Sequence, residues 1–325
     1  MEQKPIRRIG VLTSGGDAPG MNAVIRAVVR TASAHGISVL GIRRGYSGLI
    51  NGDIIELAAR SVDGISRKGG TMLYTARCKE MLTPEGLQKA ADTCKYMGID
   101  GLVCIGGDGT FRGALALSRL GVPCVGVPGT IDNDIGCSEY TIGFDTACNT
   151  ALDCIDKLRD TMQSHERCSV VEVMGRHAGH LALNVGCACG ATAILLPERE
   201  IDFEMEVIEK MRMGRIKGRN HHIIIVAEGY GSAQEVSDRI HDATGIDSRL
   251  TILGHIQRGG APSSQDRTMG TRMGHDAVKV LEEGKSKRVV ALHGGEIVDI
   301  DIEEALELTK DLNQSLFEAQ QVVAI

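Results

Sequence analysis

Short apolar runs that break into glycine, alternating with stretches of helical periodicity, limit what this chain can fold into more than any other feature. Ile9–Leu12, Val39–Ile42, Leu102–Ile105 and Cys124–Val127 have strand length and are rich in β-branched residues, with Gly, Pro or Asp nearby as punctuation. Between them Met21–Ala34 puts Val24, Ile25, Val28 and Val29 on one helical face. Thr83-Pro84-Glu85 reads as a helix N-cap, a first-turn proline and an acidic first turn. The pattern repeats, with strands near Ser169–Val173, Ala193–Leu196 and Ile223–Ala227 and helices near Thr146–Thr161 and Phe203–Lys217. Strand-helix alternation predicts an α/β fold whose parallel sheets are covered on both faces, with ligands at the carboxyl ends of the strands.

A chain of 325 residues has room for two domains. No Pro- or Ser-rich linker separates halves, so the chain is expected to cross between domains more than once, with a cleft between them. Trp is absent and aromatics are 3%, so the core must rest on Val, Ile, Leu, Ala and Met. The net charge of −6 argues against a general nucleic-acid binder and requires any anion site to gather its arginines locally. Ten Cys include no Cys-x-x-Cys pair, and Cys187-x-Cys189 is poor zinc spacing. Cys104 and Cys124 sit inside apolar runs, as buried thiols of a reducing cytosol would. No apolar run approaches the ~20 residues of a membrane span, and the apolar stretch after the N-terminus is too short for a signal peptide. The expectation is a cytoplasmic protein with no membrane partner.

Three glycine-bearing segments carry the chemistry. Thr13-Ser14-Gly15-Gly16-Asp17-Ala18-Pro19-Gly20 joins a strand to a helix, where backbone N–H groups and the helix dipole suit a phosphate. Such a turn also occurs without a ligand, and it lacks both the P-loop and the Gly-x-Gly-x-x-Gly pattern. In Gly106-Gly107-Asp108-Gly109-Thr110 the aspartate has little packing to do, so it reads as a partner for phosphate-bound Mg²⁺, or more plainly as a helix cap. In Pro128-Gly129-Thr130-Ile131-Asp132-Asn133-Asp134 a locally extended backbone would project Asp132 and Asp134 to one side, where one could act as a general base. A simple turn is the blander reading. Arg77, Arg167, Arg176, Arg249 and the His255-Ile256-Gln257-Arg258 loop supply countercharge beside glycine breaks, Arg176 at the end of a strand expected to be interrupted by Glu172. The basic block Arg212–His222 reads as a solvated helix end or a second anion site.

These segments closely resemble bacterial ATP-dependent 6-phosphofructokinases, almost end to end. The resemblance is carried by residues 10–22, 105–109, 127–134, Val-Glu-Val-Met-Gly-Arg at 171–176 and Leu-Gly-His-Ile-Gln-Arg-Gly-Gly at 253–260. It implies two Rossmann-like three-layer domains with the active site in the cleft between them. Residues 1–142 plus 256–305 would bind ATP, and 143–255 plus 306–325 the sugar phosphate. The implied ATP site is Gly16, Arg77, Cys78, Gly107, Asp108, Gly109 and Thr110, with Asp108 toward Mg²⁺. Asp132 resembles the general base, with Thr130, Ile131 and Asp134 beside it and Arg77 and Arg176 on the moving phosphoryl group. Met174, Gly175, Arg176, Glu228, His255, Ile256, Gln257 and Arg258 resemble the fructose 6-phosphate site. Arg167 and Arg249 match residues lent to a neighbouring subunit, which implies a homotetramer.

Pyrophosphate-using relatives carry Asp at the position of Gly109 and Lys at that of Gly129, so two glycines favour ATP. Arg26, Arg30, Arg159, Lys217, Arg219 and His221 match the family's effector pocket, with Asn220 in a usually basic spot. Thr192, Ala59 and Gly64 depart from that pocket, which leaves allosteric control open. A sensor of nucleotide or sugar phosphate without turnover is the rival class. The set Asp108, Asp132, Asp134 and Arg176 counts against it. A Rossmann dehydrogenase lacks its glycine fingerprint here.

Overall fold

The eleven strands of the described residues form two sheets; the computed structural model describes residues 5–324. They are β1 (Arg8–Thr13), β2 (Ser38–Ile42), β3 (Ile54–Leu57), β4 (Gly101–Gly106), β5 (Cys124–Pro128), β6 (Cys168–Val173), β7 (Ala193–Leu195), β8 (His222–Ala227), β9 (Ser248–Ile252), β10 (Arg288–His293) and β11 (Glu296–Asp301). One sheet has the order β11-β10-β5-β4-β1-β2-β3, the other β7-β8-β6-β9. All pairings are parallel except at the edges of the larger sheet, where β3 and β11 run antiparallel to their neighbours. Strands β1, β2, β4, β5, β7 and β8 bury nearly all their residues and carry continuous apolar runs. β9 and β11 are half exposed and carry charge, so no such run marks them.

The chain divides into two compact units. One comprises the residues up to Ile131, Ile135–Thr146 and Arg258–Lys310, and contains the larger sheet. The other comprises Asp132–Asp134, Ala147–Gln257 and the residues from Asp311 on, and contains the smaller. The first has a core that includes Leu12, Leu102, Phe111 and Leu117, and the second one that includes Val170, Val207, Met211 and Ile224. None of the ten cysteines is in a disulfide; seven are buried, and burial pushes the thiols of Cys94 and Cys168 up to about 12. At such values they hold their protons and pack as small hydrophobes. No helix is long and apolar enough to cross a membrane among the described residues.

Local signals explain the helices of the first unit. Met21–Ala34 buries Met21, Val24, Ile25 and Val28 and starts at Gly20, whose φ of 107° suits glycine. Its partner Ser264–Glu282 presents Gly270 and Gly274, where a Cβ on Gly274 would come within 2.7 Å of the Val24 carbonyl oxygen. The two backbones therefore approach at glycine. The expected cap at Thr83 forms, its hydroxyl accepting from Gly86 N at 3.1 Å with Pro84 in the first turn.

Three local expectations change. Glu172 does not interrupt β6; it stays in register with Val226 and Ile252 because one carboxylate at a strand's open end leaves the ladder intact. The helix expected from Phe203 begins with a π-helical turn, Glu204–Glu209, and becomes α-helical only over Lys210–Ile216. The backbone at Asp132–Asp134 is a turn and not extended, with Asn133 left-handed at φ 51°.

Candidate active site

In the first unit β5, β4 and β1 are neighbours, so their carboxyl ends bring three glycine segments side by side. Hydrogen bonds tie them together. Ser14 N donates to Ile105 O at 3.0 Å, Thr110 Oγ1 to Ser14 O at 3.1 Å, and Gly129 N to Gly106 O at 3.0 Å. A Cβ on Gly106 would overlap Thr110 Oγ1 and Ser14 O, so glycine is required by the crossing itself. Thr75 Oγ1 donates to Gly15 O at 2.8 Å, and Thr13 Oγ1 to Tyr74 O at 2.9 Å, fastening the segment that carries Arg77 and Cys78 to the first loop. Arg77 is exposed and Cys78 half-buried.

Gly107, Asp108 and Gly109 open the helix Asp108–Arg119, and the positive dipole end of a helix favours an anion. Tyr46, buried, donates its phenol to Thr110 O at 2.6 Å and packs against Gly113. Arg258 places its guanidinium over Gly16, within overlap of any Cβ there. Asp108 offers a single carboxylate in the first turn of that helix. The described residues include no cluster of three His, Cys, Asp or Glu able to cage a metal, and Mg²⁺ characteristically takes one or two carboxylates plus phosphates and water. Asp132, on the turn that follows β5, is buried, and Asp134 is half-buried.

In the second unit β6 ends in Met174-Gly175-Arg176. Gly175 has φ 147° and Arg176 is left-handed at φ 60°, which turns the backbone sharply. Arg176 N donates to Glu228 Oε1, and Met174 N to Gln257 Oε1 at 3.0 Å. Gly229 permits this, since a Cβ there would come within 2.5 Å of Arg176 O. Burial first, and the nearby Glu228 second, raise the pKa of Glu172. Arg176, Glu228, Met174, Gly175 and Gln257 thus form one group. Arg167 and Arg249 form another around Asp247, at 2.8 Å and 3.0 Å from the same carboxylate oxygen. His255 and Ile256 are exposed.

Of the residues matched to an effector pocket, Arg159, Arg219 and His221 cluster in the second unit. Burial first, then Arg159 and Arg219, depress the His221 pKa. Arg159 donates to Cys189 O, Arg219 to Ala324 O at 2.8 Å and Gly190 O at 3.2 Å, and Asn220 to Glu166 at 2.9 Å. Lys217 ends the helix Lys210–Ile216 as its C-cap. Arg26 and Arg30 lie in the first unit, where Arg30 pairs with Asp63. Sequence reasoning missed Tyr46, Thr75, Asp247 and Asp266. Only Asp247, two residues before Arg249, had a local signal.

Glycine-bearing loops gathered at three adjacent strand ends, one of them opening a helix, define an α/β protein suited to binding phosphate. The family model for phosphofructokinase matches residues 8–281. The chain belongs to the phosphofructokinase family. It is 54% identical over 319 residues to an ATP-dependent 6-phosphofructokinase of Clostridium botulinum, covering 98% of this chain and 100% of that one. Among solved structures it is similar to a phosphofructokinase from Saccharomyces cerevisiae, with TM-score 0.89 and 36% identity over 98% of this chain. It spans only 48% of the yeast chain. A pyrophosphate-dependent phosphofructokinase from Marinobacter aquaeolei shares the fold, with TM-score 0.85 and 20% identity over 98% of this chain and 92% of that one.

Proposed function

We propose that this chain is the ATP-dependent 6-phosphofructokinase of glycolysis, moving the γ-phosphate of ATP to the 1-hydroxyl of fructose 6-phosphate with Asp132 as general base. The observation that carries the reading is the hydrogen-bonded junction of Ser14, Gly106, Thr110 and Gly129, which fixes three glycine-bearing backbone segments relative to one another. Phosphoryl transfer needs such positioning and charge neutralisation more than covalent help. Full-length similarity to the clostridial enzyme supports the donor and acceptor.

Asp132 takes the proton from the 1-hydroxyl as attack begins, assisted by Thr130 and Asp134. Gly16 N–H, Arg77 and Arg176 stabilise charge on the moving group. Asp108 would hold Mg²⁺, which when bound neutralises charge on the nucleotide phosphates. Gly107, Gly109, Thr110 and Cys78 line the nucleotide. Met174, Gly175, Glu228, Ile131, Ile256 and Gln257 orient the sugar, while His255, Arg258, Arg167 and Arg249 grip its 6-phosphate. Arg167 and Arg249 act across a subunit interface of a homotetramer in the cytoplasm. Within the second unit, Arg159, Arg219 and His221 with Lys217 and Asn220 offer a candidate anion site.

A coupled assay with purified protein, fructose 6-phosphate and Mg²⁺, offering ATP and pyrophosphate in parallel, tests the reading. Turnover with ATP alone is expected. Turnover with pyrophosphate alone would overturn the donor, and none with either would favour a sensor.

A further inference from the structure

We propose that Asp266 is a positioning residue for the turn that carries Asp132. Asp266 lies in the first turn of the helix Ser264–Glu282 and is fully buried. Its carboxylate accepts four hydrogen bonds, all from one short segment. Tyr140 Oη and Gly143 N donate to Oδ1, each at 2.6 Å; Thr146 N donates to Oδ2 at 2.9 Å, and Thr146 Oγ1 donates to the same oxygen. A buried carboxylate kept this way spends both oxygens on fixing residues 140–146.

That segment is in turn bonded to the strand end from which Asp132 hangs. Ile142 N donates to Pro128 O at 2.9 Å, Gly129 and Ile142 form a parallel bridge, and Thr141 Oγ1 donates to Thr130 O at 2.6 Å. There is no slack between the layers. A Cβ on Gly20 would come within 2.6 Å of Ile142 and 3.2 Å of Asp266, and one on Gly143 within 2.6 Å of Ala18. Asp266 therefore holds one side of a rail whose other side is Pro128–Thr130. The next residues along the chain are Ile131 and Asp132. The plain alternative is that Asp266 only caps the helix Phe144–Ser164 and serves stability.

The inference rests on Asp132 being the base, so the test is a mutant cycle in the full-length enzyme. Asp266→Asn keeps the shape but turns one acceptor into a donor facing Thr146 or Tyr140. It should lower kcat on the order of 10-fold, as small misplacements of reacting groups do, with both KM values within about twofold of wild type. In an Asp132→Asn background the same change should have no further effect on kcat. Tyr140→Phe removes a single donor and should lower kcat by roughly threefold with the same lack of additivity. It also stands in if Asp266→Asn fails to fold. Loss that multiplies in the Asp132→Asn background, loss carried by KM, or unchanged kcat in both variants would overturn the proposal. Near-normal kcat for Asp132→Asn alone would remove the base, and this proposal with it, a result that the other arms do not mimic.

Discussion

The guanidinium of Arg258 lies over the α-carbon of Gly16, so close that a methyl group added there would overlap Nη1 and come within 3.0 Å of Cζ. Gly16 does not have the left-handed backbone that demands glycine, and the obstructing atoms are the far end of a flexible side chain. Gly16→Ala should therefore fold normally with Arg258 displaced. Losing a charge-assisted contact of roughly 1.5–3 kcal/mol predicts a fall in kcat/KM of about 10- to 100-fold with a near-wild-type melting temperature. Steady-state kinetics of the single variants and of Gly16→Ala with Arg258→Ala check it. The two changes together should be less than multiplicative, and full additivity would show that the residues act separately.

How much of this was legible beforehand depends on how local the cause is. The helix Met21–Ala34 and the cap at Thr83 follow from apolar spacing and turn chemistry within a few residues, and both stand where the pattern puts them. The glycine segments at β1, β4 and β5 were readable for the same reason. The left-handed Asn133 belongs to the blander of the two readings of its segment, a turn, which Asp and Asn favour. Tyr46 against Gly113, Arg258 against Gly16 and Asp266 under residues 140–146 join segments far apart in the chain, and no periodicity announces such pairs. Asp266 stands in a helix's first turn, where an acidic residue is ordinary. Its burial makes it something else.

Arg167 and Arg249 share Asp247, and all three side chains are partly exposed. Exposed pairs of this kind contribute about 0–1 kcal/mol, so Arg249→Ala should hardly change the melting temperature. If Arg249 binds the sugar's 6-phosphate, the same variant should raise KM for fructose 6-phosphate by roughly 10-fold or more while kcat and KM for ATP change little. Initial rates with each substrate varied in turn decide it. A change confined to ATP would take Arg249 out of the sugar-phosphate site.

A Cβ at Gly109 meets nothing within 4 Å, whereas one at Gly129 would press on Ile105 and Met21 at 3.1 and 3.2 Å. Gly109→Asp is thus a clean test of donor choice and Gly129→Lys is not, since the latter also strains the core. With a second carboxylate beside Asp108 in the first helical turn, nucleotide binding should weaken through repulsion and bulk. The expected result is a rise in KM for ATP of about 10-fold or more at unchanged thermal stability. Unaltered KM for ATP would show that the nucleotide does not pass near Gly109.

His222 heads β8 almost fully buried, with Nδ1 3.2 Å from Thr192 Oγ1. Burial first, then the charges of Arg219 and His221, hold its pKa down to about 4 from the ordinary 6.5. The unfolded chain takes up a proton near pH 6.5, while the folded chain resists it until about pH 4. The stabilisation is therefore complete above pH 6.5 and is lost as the pH falls toward 4, by an amount on the order of 3 kcal/mol. His222→Gln has nothing to protonate there, and its amide can still meet Thr192. Between pH 7 and pH 5 the denaturant midpoint of the wild type should fall more steeply than that of His222→Gln. Parallel curves would mean that His222 takes up its proton alike in both states.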